Sequence, residues 1–245
     1  MSFQNNPGQG WGSGATGPGA GSQVTARPTA EASASFLTHA FTWMFAGLLL
    51  SAGVALLVQG SQSLQTFAQT AFLPVIIGQL VLVIAIGWGI SRIGATVALG
   101  LFFIYAASIG LTVGLIIAVA YSTETAASAF LTASGMFGVA ALYGATTKRS
   151  LAGIGGFLTM GLIGLLIALV VNAFLGSDTF SYVLSIIGVV LFTVLTAYDV
   201  QRISVGQLVT RTGSVEKAAV LGALRLYLDF INLFLFLLRL FGGRR

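Results

Sequence analysis

Long apolar stretches separated by short polar segments dominate the chain from about residue 36 onward. Each stretch approaches or exceeds the roughly 20 residues that an α-helix needs to cross the hydrocarbon core of a bilayer. The stretches run over residues 36–58, 72–91, 95–119, 127–146, 151–173, 180–203 and 218–240. Their connections are short, so consecutive helices are expected to be antiparallel neighbours. The pattern predicts an all-α membrane protein with seven transmembrane helices.

The composition agrees with a protein whose surface faces lipid. Of its 245 residues, 56% are hydrophobic and 7% are charged, whereas a soluble domain carries about 25% charged residues. The formal net charge is +5, which in a soluble protein would suggest nucleic acid as a partner. Here the basic residues lie mostly between the spans, and no nucleic-acid or catalytic motif accompanies them. We therefore expect a lipid bilayer around the protein, no nucleic-acid partner and no enzymatic activity.

The first 30 residues differ in composition from the rest of the chain. They are rich in Gly, Ser, Asn, Gln and Pro and contain no apolar run. Such a segment buries too little surface to fold and is predicted to be disordered. The chain therefore divides into a disordered tail over residues 1–30 and a membrane domain over residues 31–245. No charged N-terminal region leads into a short apolar stretch, which argues against a cleaved signal peptide.

Lysine and arginine residues predict the orientation, since cytoplasmic connections of membrane proteins are enriched in them. They precede span one and follow spans two, four and six, at Arg27, Arg92, Lys148, Arg149, Arg202, Arg211 and Lys217. The N-terminus is thus predicted to lie in the cytoplasm. For the last span, length favours a full crossing that places Arg239 outside, whereas the terminal arginines favour a re-entrant segment.

The last span carries polar residues on one helical face. They are Arg225, Asp229, Asn232 and Arg239, at spacings of four, three and seven residues. An ionised aspartate at the centre of a membrane helix costs about 2.5–3.5 kcal/mol on insertion scales. Such residues therefore face the interior of a helix bundle or a wet cavity. The last span is predicted to be the central helix, with this polar stripe facing its neighbours.

A second intramembrane carboxylate, Asp199, lies in the segment TAYDVQRI, about one turn from the cytoplasmic end of span six. If it meets Asp229, the two carboxylates cannot both ionise at low cost, and one proton is held between them. Loss of that proton leaves two like charges together, which separates the helices unless a cation enters. Carboxylate oxygens suit a hard cation such as Ca²⁺. Asp199 and Asp229 are therefore candidate Ca²⁺ ligands, and no resident cofactor is expected.

A purely structural interpretation of both carboxylates is the alternative that the spacing leaves open. Asp199 and Arg202, and likewise Arg225 and Asp229, lie within one turn of each other along the chain, which allows an ion pair in a helix. Both carboxylates would then stay ionised and only stabilise the bundle. Polar side chains in other spans are candidates for hydrogen bonds between helices, at Gln79 and Asn172. Small residues, as in GLTVG, are candidates for close helix packing.

Four segments, each tied to a different span, carry a resemblance to a known family. They are LFFIYAASIGLT, ALYGATTKRSLAGIGGFL, TAYDVQRI and LYLDFINLFLFLLRLFG. Together, and in this order, they resemble the Bax inhibitor family, also called the transmembrane Bax-inhibitor-motif proteins, in its bacterial branch. The resemblance runs from about residue 36 to the end of the chain.

The resemblance implies a seven-helix fold in the bacterial cytoplasmic (inner) membrane, with the last helix wrapped by the other six. It also implies a calcium leak controlled by pH through an aspartate pair on the last two helices, at positions that match Asp199 and Asp229. A basic residue at the end of the second span, here Arg92, is similar to the family's latch to the first aspartate. The chain departs from the family at Val200, where Thr is usual, and at Gln79, since some relatives have an acidic residue in that span.

Two hypotheses of different classes follow. The favoured one is a pH-sensitive, Ca²⁺-permeable leak channel in which the carboxylate pair closes the cytoplasmic end when protonated. Supporting polar residues are Arg225, Asn232 and Arg202. The alternative is a membrane interaction protein that modulates a stress response or a membrane-bound ATP-dependent protease, with which the family's bacterial members are associated. An intramembrane aspartyl hydrolase is disfavoured, because the motifs around the aspartates do not look like those enzymes.

Overall fold

The computed structural model describes residues 30–243, and their side chains from residue 35 onward. The predicted disordered tail lies outside these residues, residue 30 excepted. The described residues form nine α-helices and no strand, as the composition predicts: α1 Ala30–Gln59, α2 Gln62–Thr70, α3 Phe72–Gly89, α4 Ala95–Ala120, α5 Thr123–Thr146, α6 Gly155–Leu175, α7 Asp178–Ser204, α8 Gln207–Thr212 and α9 Val215–Gly242. A 3-10 turn, Ala152–Ile154, precedes α6.

Seven of the described helices are long and apolar enough to cross a membrane, which confirms the predicted number of spans. They are α1, α3, α4, α5, α6 with its 3-10 turn, α7 and α9. The remaining two, α2 and α8, connect α1 to α3 and α7 to α9. They have nine and six residues, and the apolar pattern does not predict them because neither is long enough to form a span.

Serine caps begin α5, α7 and α9 ahead of their predicted apolar boundaries. The Ser122 hydroxyl accepts a hydrogen bond from the Thr125 N–H at 3.1 Å, so α5 begins ahead of position 127. Ser214 accepts from the Lys217 N–H at 3.4 Å, and α9 begins ahead of position 218. Such caps satisfy N–H groups that have no partner within the helix.

The last helix lies at the centre of the bundle, as predicted. In its membrane-spanning stretch 78% of the residues are buried, against 11% in α3 and 17% in α6. Helices α1, α4, α5 and α7 pack directly against α9, whereas α3 packs against α4 and α6 against α7. The described bundle therefore has an inner ring of four spans around α9 and two outer spans.

Small residues bring α1 and α4 into close contact, as the segment GLTVG predicts. A Cβ added to Gly110 would lie 2.5 Å from the carbonyl oxygen of Ser51, and one added to Gly114 would lie 2.7 Å from the Cα of Ala55. Real side chains do not fit at these distances, so only glycine permits this backbone approach. Van der Waals contact at this close approach stabilises helix association in lipid, where no hydrophobic driving force acts between helices.

Polar side chains also join neighbouring helices as predicted. The Gln79 amide of α3 donates to the Ser108 carbonyl oxygen at 2.9 Å and to the Thr112 hydroxyl at 2.8 Å, both on α4. The Asn172 amide of α6 donates to the Ser181 hydroxyl of α7 at 2.6 Å. These bonds fasten the two outer helices to the inner ring.

Helix α9 crosses the full height of the bundle. At its start, the Lys217 ammonium donates to the carbonyl oxygen of Ser91, in the α3–α4 turn, at 3.2 Å. At its end, Gly242 lies against the ring of Tyr121, which closes α4. Helix α9 therefore spans the same distance as α4, which agrees with the full crossing that its length predicts and not with a re-entrant segment.

Candidate functional site

Both intramembrane carboxylates are buried within the bundle. Asp199 is 6% exposed and lies five residues before the end of α7, whereas Asp229 is 5% exposed and lies near the midpoint of α9. Buried charges are rare unless they are paired. Each of these carboxylates is therefore expected to have a charged or hydrogen-bonded partner.

An ion pair joins α9 to α7 at this site. Nη1 of Arg225 donates to Oδ1 of Asp199 at 3.1 Å. The Asp199 side chain is 8% exposed and the Arg225 side chain 26%, so the pair is shielded from solvent on the carboxylate side. The alternative pairings within one helix, Asp199 with Arg202 and Asp229 with Arg225, are not the hydrogen-bonded pairs that form.

Asp229 lies beside this ion pair without a direct bond from the guanidinium. Its carboxylate interacts electrostatically with both Asp199 and Arg225. Its Oδ2 atom and the Nε atom of Arg225 are buried and have no hydrogen-bond partner among the described residues. Buried polar atoms without partners are uncommon and call for a functional or structural reason. The three side chains thus form one cluster, which we call the aspartate–arginine cluster.

The position of Arg225 explains how carboxylates at different depths come together. Arg225 precedes Asp229 by one helical turn, which places it about 6 Å closer to the start of α9. From there its long side chain reaches Asp199, which lies near the end of α7. The guanidinium therefore bridges a difference in depth that two aspartates alone would not.

The remaining residues of the predicted stripe lie in less buried positions. The Asn232 amide donates to the Leu228 carbonyl oxygen of its own helix at 2.8 Å and is half-buried, and Arg239 is exposed. The stripe therefore follows the least buried face of α9, and of its members only Asp229 is fully buried. The prediction that the whole stripe faces neighbouring helices is accordingly too broad, because the wrapping of α9 is incomplete along this face.

Arg202 and Arg92 differ in their relation to Asp199. The charge of Arg202 acts on Asp199, while its guanidinium lies 5.4 Å from the Tyr198 ring centroid and its Nε donates to Gln207 Oε1 at 3.1 Å. Arg92 is exposed in the turn after α3, and the guanidinium paired with Asp199 is that of Arg225. The latch role of Arg92 stays a prediction.

The segment TAYDVQRI packs against ALYGATTKRSLAGIGGFL around the cluster. Gly144 of α5 approaches α7 so closely that an added Cβ would collide with the carbonyl oxygen of Ala197. Gln201 accepts from the Leu151 N–H at 2.7 Å and donates to the Arg149 carbonyl oxygen at 2.9 Å. The sequence analysis did not single out Gln201, although its position two residues after the candidate aspartate, within the same motif, was an available signal.

An apolar cavity of about 280 Å³ lies on a different face of α9, in the half of the bundle near the α4–α5 connection. Phe230, Ile231 and Phe234 line it, together with residues of α1, α4 and α5, and neither aspartate does. Its wall includes Ser51, whose hydroxyl shares a hydrogen bond of 2.6 Å with the Tyr227 hydroxyl. Helix α9 therefore presents an aromatic face to this cavity and the charged cluster to α7.

The site contains two carboxylates and no larger set of metal ligands. Among the described residues, no group of three or more His, Asp or Glu side chains comes together. A stable Ca²⁺ site uses six to eight oxygen ligands. Asp199 and Asp229 can therefore serve as partial ligands to a passing cation and do not form a resident metal centre by themselves.

Comparison with known proteins agrees with the resemblance read from the four segments. The family model described as "Inhibitor of apoptosis-promoting Bax1" matches residues 33–245. The inner membrane protein YbhL of Escherichia coli K12 is 45% identical over 217 residues, 86% of this chain and 92% of the relative. An uncharacterized protein of Deinococcus radiodurans is 39% identical over 222 residues, 90% of this chain and 96% of the relative. The chain therefore belongs to the Bax inhibitor family, as a multi-pass protein of the inner membrane.

Proposed function

We propose that this protein is a pH-sensitive, Ca²⁺-permeable leak of the inner membrane, gated by the aspartate–arginine cluster. The observation that carries the proposal is the ion pair between Arg225 and Asp199 with the buried Asp229 beside it. One oxygen of Asp229 has no hydrogen-bond partner among the described residues. Ionisable groups inside a membrane are costly, and they mark ion and proton pathways.

Charge balance within the cluster supplies the sensitivity to pH. With both carboxylates ionised, Asp199, Asp229 and Arg225 carry one net negative charge, whereas with one proton bound they carry none. A net charge is disfavoured in a low-dielectric interior. The neutral cluster is therefore the closed arrangement, in which the ion pair holds α7 against α9 near the cytoplasmic end.

Loss of the proton makes the cluster attractive to a cation. Carboxylate oxygens are the ligands that hard cations such as Ca²⁺ prefer. Two carboxylates form an incomplete site, and this suits passage because conduction requires an ion to leave as readily as it enters. Ca²⁺ is thus transient cargo in this proposal, and the leak requires neither a cofactor nor an enzymatic step.

Arg225 competes with the entering ion. A Ca²⁺ ion on Asp199 would repel the guanidinium that occupies the same carboxylate in the closed arrangement. The Arg225 side chain is 26% exposed, so it has space on the less buried face of α9 into which to move. The half-buried Asn232 lies two turns further along that face.

The test is Ca²⁺ flux into liposomes that contain the purified full-length protein and a trapped Ca²⁺ indicator. Flux is recorded from about pH 6 to about pH 8, and we expect wild-type flux to increase with pH because the two carboxylates lose the proton that they share. In Asp229→Asn, the remaining Asp199 and Arg225 neutralise each other, so flux should stay low over this range. Asp178→Asn makes the same change at the exposed start of α7 and should retain the wild-type profile.

Identical flux profiles for the wild type and Asp229→Asn would contradict the proposed gate. If the wild type gives no flux above protein-free liposomes, the alternative hypothesis of an interaction protein is favoured. A membrane-bound ATP-dependent protease should then co-purify with the full chain and be lost on deletion of residues 1–30.

A further inference from the structure

A second cavity, of about 270 Å³, lies at the end of the bundle that the Lys and Arg residues predict to face the cytoplasm. It is formed by the end of α5, the connection to α6, the end of α7 and the start of α8. The polar residues that line it include Thr147, Lys148, Ser150, Gln201, Arg202 and Gln207. Its lining is therefore much more polar than that of the apolar cavity beside α9.

The charges that line the cytoplasmic cavity are all positive. Lys148 and Arg202 are its charged residues, and neither Asp nor Glu lines it. Lys148 is exposed and Arg202 is half-buried. A cavity lined by two cations and no carboxylate attracts an anion, and its position between helix ends at the cytoplasmic interface is one at which basic pockets bind lipid phosphate groups.

The guanidinium of Arg202 is held in a fixed orientation. Its Nε donates to the Gln207 side-chain oxygen at 3.1 Å, and its face lies 5.4 Å from the Tyr198 ring centroid. Its two Nη groups make no hydrogen bond to other described residues. A planar guanidinium with two free, adjacent donors matches the geometry of a phosphate, which it can bind through two parallel hydrogen bonds.

Hydroxyl groups of the α5–α6 connection add neutral donors. The Thr147 hydroxyl accepts from the Arg149 N–H at 3.3 Å, and the Ser150 hydroxyl accepts from the Ala152 N–H at 3.3 Å. Both hydroxyl oxygens thus act as acceptors in these bonds, so their O–H groups remain available to donate. The connection itself is tied to α7 by Gln201, which keeps these hydroxyls beside Arg202.

We infer that this cavity binds a phosphate group, held by the Lys148 ammonium and the Nη groups of Arg202 with the Thr147 and Ser150 hydroxyls as further donors. The phosphate could belong to the headgroup of an anionic phospholipid or to a soluble phosphate compound, since both present the same oxygens. The inference concerns binding at a separate cavity that neither aspartate lines, so it can hold without the proposed leak, although the charge of Arg202 also acts on Asp199.

The test measures binding to the purified full-length protein in a non-ionic detergent. One arm titrates inorganic phosphate by calorimetry, and the other counts retained phosphatidylglycerol against phosphatidylcholine by native mass spectrometry. Lys148→Gln should weaken binding of whichever probe binds the wild type about tenfold or more, as expected for loss of a charge-assisted hydrogen bond. Arg202→Lys keeps the positive charge but loses the planar pair of Nη donors, and it should weaken binding severalfold.

Arg211→Gln is the matched control, because it removes one positive charge from the exposed surface of α8 without altering the cavity lining. It should leave binding within about twofold of the wild type, as surface charges are screened by salt. Binding of inorganic phosphate alone supports the site with a soluble source, and selective retention of phosphatidylglycerol supports it with a lipid source. Binding of neither probe, or equal weakening by Lys148→Gln and Arg211→Gln, would overturn the inference.

Discussion

Nη1 of Arg225 lies 3.1 Å from Oδ1 of Asp199, and this ion pair connects the central helix α9 to α7. The two residues are separated by 26 positions in the chain, and a partner at i+3 or i−4 was available to Asp199 or Asp229 on its own helix. The guanidinium therefore serves two helices at once, and its loss should affect both the stability of the bundle and the behaviour of the carboxylates.

The first prediction concerns the energetic coupling of this pair. Asp199→Asn and Arg225→Gln should each lower the free energy of unfolding by about 1–3 kcal/mol, since each leaves a buried polar partner unsatisfied. The double variant should cost less than the sum, with a coupling of about 1 kcal/mol or more. The coupling is measured by unfolding the wild type, the two single variants and the double variant in mixed detergent micelles.

Arg239→Gln is the control for the coupling experiment. Arg239 is exposed on the same helix, and surface substitutions usually change stability by about 0.5 kcal/mol or less. Strict additivity of the Asp199 and Arg225 variants would show that the two side chains do not interact in the membrane-embedded protein.

The second prediction concerns the pH at which the proposed leak opens. In the proposed mechanism the Arg225 guanidinium holds α7 against α9 in the closed arrangement and competes with an entering ion for Asp199. Arg225→Gln removes both effects, so flux should already begin at a lower pH than in the wild type. Ca²⁺ flux into liposomes, recorded against pH, gives the midpoint, which is the pH at which flux is half-maximal.

Arg92→Gln tests the competing assignment of the latch to the α3–α4 turn. Arg92 is exposed, so its neutralisation should move the midpoint by no more than a few tenths of a pH unit, as for a solvent-screened charge. A larger shift in Arg92→Gln than in Arg225→Gln would restore the latch that the family resemblance implies and reject Arg225 in that role.

The third prediction concerns the contact between α5 and α7 beside the cluster. In Gly144→Ala the new Cβ would collide with the carbonyl oxygen of Ala197, a backbone atom that cannot move without the helix. We expect a loss of about 1–3 kcal/mol, typical of overpacking in a well-packed interior. Gly138→Ala on the same helix meets no atom within 4 Å and should be neutral or stabilising; equal effects of both changes would contradict the close approach.

The fourth prediction concerns the hydroxyl pair between α1 and α9. Ser51 donates to the Ala106 carbonyl oxygen at 2.7 Å and shares a 2.6 Å hydrogen bond with Tyr227. Ser51→Ala leaves the buried Tyr227 hydroxyl without that partner and should cost about 1–2 kcal/mol. Tyr227→Phe removes the hydroxyl itself while Ser51 keeps its carbonyl partner, and should cost about 0.6 kcal/mol, near the mean for such bonds in membranes. A larger loss of stability in Tyr227→Phe than in Ser51→Ala would show that the Tyr227 hydroxyl bonds another group when the Ser51 hydroxyl is absent.

Several features of the fold and of the site are predictable from the sequence because they follow from local patterns. Apolar length identifies the seven spans, and the polar residues of the last span identify α9 as a helix that the bundle must surround. Burial of Asp199 and Asp229 follows from the same reasoning. The helices α2 and α8 are too short for such a pattern, and the serine caps extend α5 and α9 beyond it.

The sequence by itself determined that this chain crosses a membrane seven times and where its intramembrane carboxylates lie. In hydrocarbon every backbone polar group needs a partner within its own helix, so length and polarity along the chain suffice to reveal the spans. Only the tertiary structure decided that Arg225 pairs with Asp199. Helical spacing offered each carboxylate a guanidinium of its own one turn away, and the choice among partners depends on how α7 and α9 are rotated and set in depth. That relation is fixed by packing contacts such as Gly188 of α7 against the Phe236 ring of α9, which no single helix contains.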